Sequence, residues 1–149
     1  MAVPIHARAT AELDPITLYR LLRLRVDVFV VEQDCPYPEL DGRDLEPGTL
    51  QLWFAEGEQV LATLRLLRES EGRYRIGRVA TAAGARSRGL AGQLMAVALE
   101  RAAGAEVVLD AQSYLTGWYA RFGFEPAGAE FVEDGIPHVP MHRAATGSP

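Results

Sequence analysis

The sequence predicts a mixed α/β (α+β) fold in which a mostly antiparallel sheet carries helices on both faces. Three observations lead there. Residues 50–81 hold three strand-like apolar runs separated by polar turns, the pattern of a meander. Beyond residue 81 the pattern changes to helix, strand, helix. Ahead of the meander lies one amphipathic helix opened by Asp14-Pro15. A meander followed by such an alternation is met by one sheet covered on both sides.

Ile5–Ala9 is a short first strand. Asp14 then caps a helix with Pro15 at its first position. Helical spacing puts Arg20, Arg23 and Asp27 on a wet face and Leu18, Leu22, Val26 and Phe29 on a buried one. Arg25 falls among the apolar positions, so its charge needs a partner, either a buried carboxylate or a bound ligand. Residues 33–48, with Pro36, Pro38, Pro47 and five acids, form a long ordered loop rather than regular structure. Strands follow at residues 50–55, 60–67 and Tyr74–Thr81. Residues 89–103 read as a helix with Leu90, Leu94, Val97, Ala98 and Arg101 along one side. A buried strand at 106–111 and a helix over 114–121, stopped by Gly123, complete the reading. Nothing divides the 149 residues, so residues 1–149 are one domain, with a flexible tail at 144–149.

Composition narrows the function. A net charge of −5 argues against a nucleic-acid binder that relies on a basic surface. No apolar run suits a bilayer span, and the single cysteine, Cys35, excludes an internal disulfide and an unaided zinc cluster. The expectation is a cytoplasmic protein with no metal and no membrane partner, either a monomer or a homodimer.

The chemistry concentrates after the third strand of the meander. There the chain crosses a loop of small residues, passes Arg86-Ser87-Arg88-Gly89-Leu90-Ala91-Gly92, and enters a helix. The first backbone N–H groups of a helix lack intrahelical partners and carry partial positive charge, so they suit a phosphate that small residues leave room for. Two arginines alone would read as solvated surface. Between strand and helix, beside Gly89 and Gly92, they read as an anion site. The lysine of a Walker A loop and the Gly-x-Gly-x-x-Gly of a dinucleotide fold are both missing, which disfavours nucleotide hydrolysis and hydride transfer.

Residues 86–91 resemble the Arg/Gln-x-x-Gly-x-Gly/Ala signature of the GNAT N-acetyltransferase superfamily. Trp118-Tyr119-Ala120-Arg121-Phe122-Gly123-Phe124 resembles that family's aromatic-Tyr-x-x-x-Gly-Phe motif. The stretches 29–33, 35–37, 39–42, 76–79 and 133–138 are similar to its ElaA-like branch. Two positions depart from the pattern: Thr81 replaces a β-branched apolar residue and Gln112 replaces an Asn.

The resemblance implies a GNAT fold with splayed strands and an acetyl-CoA donor in the resulting V. Val79, Ala80 and Thr81 would pair with the pantetheine arm, the Thr81 N–H facing the thioester oxygen. Arg86, Ser87, Arg88, Gly89, Leu90, Ala91 and Gly92 would hold the pyrophosphate, with Gln112 also at the donor. Tyr119 would also contact the donor, and is the candidate general acid for the departing thiolate, the alternative being a tyrosine that only packs the core or the cofactor. Glu32, Asp41, Glu133 and His138 are candidate bases, and Cys35 is a weaker candidate for an acyl relay. Glu32, Tyr37, Glu39, Asp41, Asp134 and His138 would face the acceptor, a small-molecule or peptide amine. If the acidic loop borders that site, cationic amines are favoured. Two alternatives stand: a non-catalytic acyl-CoA binder, and a longer acyl donor admitted by a pocket beside Leu64, Leu66 and Thr81.

Overall fold

The computed structural model describes residues 4–146. Strand β1 is Ile5–Ala9, followed by helix α1, Pro15–Val26, which runs into a single π-helical turn, Asp27–Glu32. The meander is β2 (Leu50–Glu56), β3 (Gln59–Arg68) and β4 (Tyr74–Thr81). Helix α2 (Leu90–Arg101), strand β5 (Val107–Gln112) and helix α3 (Thr116–Ala120) come next, then β6 (Glu125–Pro126), β7 (Phe131–Glu133) and β8 (Ile136–Arg143). The described strands form one eight-stranded sheet in the order β1-β2-β3-β4-β5-β8-β6, with β7 on β8. Every pairing is antiparallel except β4 with β5. This is the mixed α/β architecture expected from the sequence.

Two clusters fix the layers. Leu52, Leu64, Leu94, Met95 and Ala98 pack α2 against one face of the sheet. Leu21 and Leu24 of α1 pack with Trp53, Val60 and Ala80. Leu52 and Trp53 are neighbours in β2 and point to opposite faces, so the two helices cover opposite sides.

The Asp14 cap forms as expected, its carboxylate accepting the Thr17 N–H at 2.9 Å. Three other expectations need correction. The α1 stripe in contact with the sheet is Leu21, Leu24 and Arg25, whereas Leu18, Leu22, Val26 and Phe29 are half-buried. Apolar residues occupy so much of this helix's circumference that periodicity does not choose the edge. On α2 the buried set includes Met95, and Arg101 is exposed. The helix expected over 114–121 shrinks to a 3-10 turn, Ser113–Leu115, and the five residues of α3.

Strands β6 to β8 were not foreseen. β8 carries Pro137 and Pro140, whose missing N–H groups argue against a strand with neighbours on both sides. It forms all the same, paired with β5 from Val107↔Arg143 to Gln112↔His138 and with β7 through Phe131↔His138. Asp134 (φ 51°) and Gly135 (φ 78°) make the tight β7–β8 turn, the Asp-Gly pair that a two-residue hairpin favours. Of the expected tail, residues 147–149 lie outside the described residues, while the Thr146 N–H bonds the Gly104 carbonyl at 2.9 Å.

Arg25 is 1% exposed and is paired with carboxylates. Its Nε donates to Glu39 Oε2 (2.7 Å), Nη1 to Asp44 Oδ1 (2.6 Å) and Nη2 to Asp44 Oδ2 (3.1 Å). Arg65 donates to Asp41 at 2.7 and 2.9 Å and to Asp44 at 3.2 Å; Arg78 donates to Glu39 at 2.9 Å and to Asp41 at 3.3 Å. Three guanidinium groups and three carboxylates thus close a charge-balanced network that ties the loop after α1 to the sheet.

Candidate active site

The parallel pair β4–β5 is joined only at Tyr74↔Val107 and Arg75↔Val108. Past that point the strands part, and a cleft of about 910 Å³ opens between them. A bulge in β4 shapes its wall: from Thr63 to Arg65 the partner on β4 moves from Ala80 to Gly77, one residue further than β3 advances. Arg78, with φ 52°, absorbs the extra residue. Beyond the bulge, the Ala82 N–H bonds the Leu61 carbonyl at 2.8 Å. Antiparallel alternation then leaves the pair Thr81↔Ala62 without cross-strand bonds, so the Thr81 N–H and C=O face away from β3. In keeping with that, the Thr81 carbonyl accepts Arg86 Nε at 3.2 Å.

The N-terminus of α2 opens on the same cleft, with Arg86, Ser87, Gly89, Leu90, Ala91 and Gly92 on its wall. Gly89 is the N-cap, at φ 73°, in the left-handed region that costs other residues about 1 kcal/mol. No side chain caps this helix, and a Cβ at Gly89 would meet nothing within 4 Å. The first-turn donors are therefore open to an anion, and the glycine-bearing cradle fits a phosphate group. Arg86 is engaged elsewhere: both its Nη atoms bond the Glu32 carboxylate at 2.6 Å. That contact holds the Glu32 carboxyl below its usual range, the hydrogen bonds contributing most. Arg88 does not line the cleft; its nearest acid is Glu56 at 3.8 Å.

Tyr119 and Gln112 line the same cleft with Trp118, Phe122 and Leu115. Tyr119 is 7% exposed, and its ring packs edge-on to Trp118 and Phe124. Burial, with a smaller effect from nearby Tyr114, pushes its phenol up to about 12, so it stays protonated at neutral pH. Gln112 exchanges two 3.3 Å amide hydrogen bonds with Gln33, joining the end of β5 to the turn after α1.

Of the expected acceptor residues, Glu32, Tyr37, Asp134 and His138 line the cleft, together with Glu133 and Cys35. Glu39 and Asp41 do not, because both are bound to arginines in the ion network. Asp41 is held well below the usual carboxylate range, chiefly by hydrogen bonds from Arg65, which leaves it a poor base. Tyr37 donates to Glu39 Oε1, and burial pushes its phenol up. Asp44 and Glu46 are also paired with arginines, so most of the loop's acidity is neutralised and a preference for cations cannot rest on it. Leu64 and Leu66 are sealed in the core; Ile76, Val79, Ala80 and Leu109 form the wall near Thr81 instead. Cys35 is buried, its Sγ donating to the Asp134 carbonyl at 3.3 Å.

The sequence reading assigned no role to Val28, Gln33, Gln93, Tyr114 or Ile136, all on the cleft wall. Gln33 and Gln112 lie 79 positions apart, a pairing that no local signal announces. Among the described residues no cluster of three or more His, Cys, Asp or Glu could hold a metal ion, and no helix is long and apolar enough to cross a membrane.

Residues 26–145 match the family model described as the acetyltransferase (GNAT) domain. The chain belongs to the GNAT acetyltransferase family. Within the GNAT family it sits in the ElaA-like branch, being 37% identical over 139 residues to the protein ElaA of Escherichia coli, which covers 89% of this chain and 91% of that one. A UPF0039 protein of Mycobacterium tuberculosis is 49% identical over 140 residues, 91% of this chain and 90% of the relative. Among solved structures, an acyl-CoA N-acyltransferase from Pseudomonas aeruginosa superposes with a TM-score of 0.91 at 43% identity, over 96% of this chain and 100% of that one. GNAT membership and this likeness make the protein an acyl-CoA acyltransferase by family, with a fold suited to a CoA-linked acyl donor.

Proposed function

We propose that this GNAT protein is an N-acetyltransferase that moves an acetyl group from acetyl-CoA to a primary amine of a small molecule or peptide, by direct attack in a ternary complex. One observation carries the reading: an uncapped helix N-terminus, an outward-facing Thr81 backbone and the buried Tyr119 phenol share one cleft. The amides of Ser87, Gly89, Leu90, Ala91 and Gly92 would hold the pyrophosphate, with Arg86 and Arg88 adding charge nearby. Charge-assisted hydrogen bonds of about 1.5–3 kcal/mol each make a few of them enough for micromolar affinity after association costs. Val79, Ala80, Thr81 and Gln112 would line the pantetheine arm.

The donor supplies the activated thioester when bound. The protein supplies position and preorganised donors. The Thr81 N–H is set to stabilise charge developing on the carbonyl oxygen, and the protonated Tyr119 phenol to donate to the departing sulfur. We take the setting to be the cytoplasm, from the low cysteine count and ordinary composition.

The test is a steady-state thiol-release assay over a broad amine panel. Thiol release with acetyl-CoA, and a fall in turnover in Tyr119→Phe of at least tenfold with donor affinity kept, supports the reading. Thermal stabilisation by acetyl-CoA without thiol release marks a non-catalytic binder. Release only with longer acyl-CoA donors reassigns the donor, an outcome the roomy cleft favours as the second reading.

A further inference from the structure

The acyl-transfer reading leaves open which group takes the proton from the acceptor ammonium, and the structure separates the candidates. Asp41 and Glu39 do not line the cleft, and their carboxylates accept from Arg65 and Arg78. Glu32 lies in the cleft wall, but both its oxygens accept from Arg86. Glu133 and Asp134 are exposed at the tip of the β7–β8 hairpin. His138 differs from all of these. Strand register sets it level with Gln112 on β5 and Phe131 on β7, so the three side chains share one face of the sheet. Its ring stacks on Phe131, centroids 5.6 Å apart and planes 20° apart. Its Nδ1 lies 2.7 Å from the Ile136 carbonyl. A carbonyl only accepts, so Nδ1 carries the hydrogen and the neutral ring keeps its lone pair on Nε2. No protein group bonds Nε2 among the described residues.

We infer that His138 is the general base of this enzyme, its Nε2 accepting the proton that frees the acceptor amine for attack. The assignment rests on the acyl-transfer reading above. The imidazole takes one proton from the ammonium and later passes it to solvent. The nitrogen lone pair forms the N–C bond as the C–S bond breaks with its electron pair on sulfur, which takes a proton from Tyr119. The proton shed by the acylated nitrogen returns to Tyr119.

The charged and titratable groups that line the cleft with His138 come from several elements and include the guanidinium groups of Arg78, Arg86 and Arg121. Glu133 and Asp134 belong to its own hairpin, while Asp110, on β5, is paired with Arg75 at 3.2 Å. Cys35, Tyr37 and Glu32 come from the segment after α1, and Tyr114 and Tyr119 from around α3. Glu133 and Asp134 have no salt bridge among the described residues, while Arg78 and Arg86 are paired with carboxylates and Arg121 is not, so unpaired acids outnumber the unpaired base and favour an ammonium in the cleft.

The test pairs kinetics with a spectrum. In wild type, kcat/KM for the best amine should show an acidic limb beyond that of the amine's own ionisation. His138→Gln should lose that limb and fall about 100-fold in kcat/KM, with the donor KM unchanged. Imidazole added to His138→Ala should restore part of the rate. Independently of activity, ¹⁵N spectra of histidine-labelled wild type should show the Nδ1–H tautomer at position 138. A rate within twofold of wild type, a retained limb, or an Nε2–H tautomer overturns the assignment. If a variant fails to fold, the wild-type spectrum still decides. Absence of thiol release by wild type with every amine instead overturns the function itself.

Discussion

Replacing Arg25 by Met removes the most buried charge in the protein while keeping much of its volume. The loss is three charge-assisted hydrogen bonds to carboxylates, at 2.6, 2.7 and 3.1 Å, and a longer one of 3.5 Å to the Glu39 carbonyl. Glu39 retains Arg78 and Tyr37, and Asp44 retains Arg65 and Gln51, so the network passes from three charges of each sign to two positive and three negative. Removing one partner of a buried ion pair costs about 3–5 kcal/mol, because the remaining carboxylate cannot be rehydrated. Met recovers part of this through apolar contact, which sets the expected loss at about 3 kcal/mol. For a domain of this size that is roughly a 10 °C fall in Tm. Urea unfolding of wild type, Arg25→Met and the double variant Arg25→Met/Asp44→Asn measures it. The double variant should recover part of the loss, since it restores the balance of charge. A single-variant loss below about 1 kcal/mol would refute the claim that the network is held as a unit.

Two further predictions concern charge. Glu32→Gln frees Arg86 for a phosphate and removes a competing anion, so acetyl-CoA should bind about three- to fivefold tighter by calorimetry, given about 1 kcal/mol for an exposed pair; unchanged or weaker binding refutes it. Asp44 is held below its ordinary value despite burial, by hydrogen bonds and charge from Arg25, and Asp41 by hydrogen bonds from Arg65. Depressed folded-state values give stability that is full above the unfolded value, near 3.9, and is lost as pH falls through the folded one. Stability should therefore be flat from neutral pH down to about 4 and decline below it, and Asp44→Asn should reduce the slope; an unchanged slope in that variant argues against the assignment.

The parts of this molecule legible in sequence are those whose cause is local. Asp14 caps because its side chain reaches an N–H three residues on. The meander alternates along each strand, and Gly89 marks a conformation that only a glycine adopts cheaply. Arg25 was legible as a demand for a partner, though its partners lie 14 and 19 residues away and only the fold names them. What resisted reading depends on neighbours distant in the chain. β8 contradicts the local signal of two prolines and exists because β5 offers it a full-length partner. The acids of residues 33–48 suggested a cation site by their number, yet folding pairs three of the five, Glu39, Asp41 and Asp44, with Arg25, Arg65 and Arg78. The same contacts that neutralise the loop fix the bulged Arg78 beside the cleft, since Glu39 and Asp41 hold its guanidinium over the Tyr37 ring. The charge that sequence alone ascribes to recognition is thus spent on holding the wall of the site in shape. Glu133, Asp134 and His138 instead reach the cleft from the hairpin, through a turn whose Asp-Gly signature was present in the sequence all along, and under the proposed function it is they that would meet the acceptor.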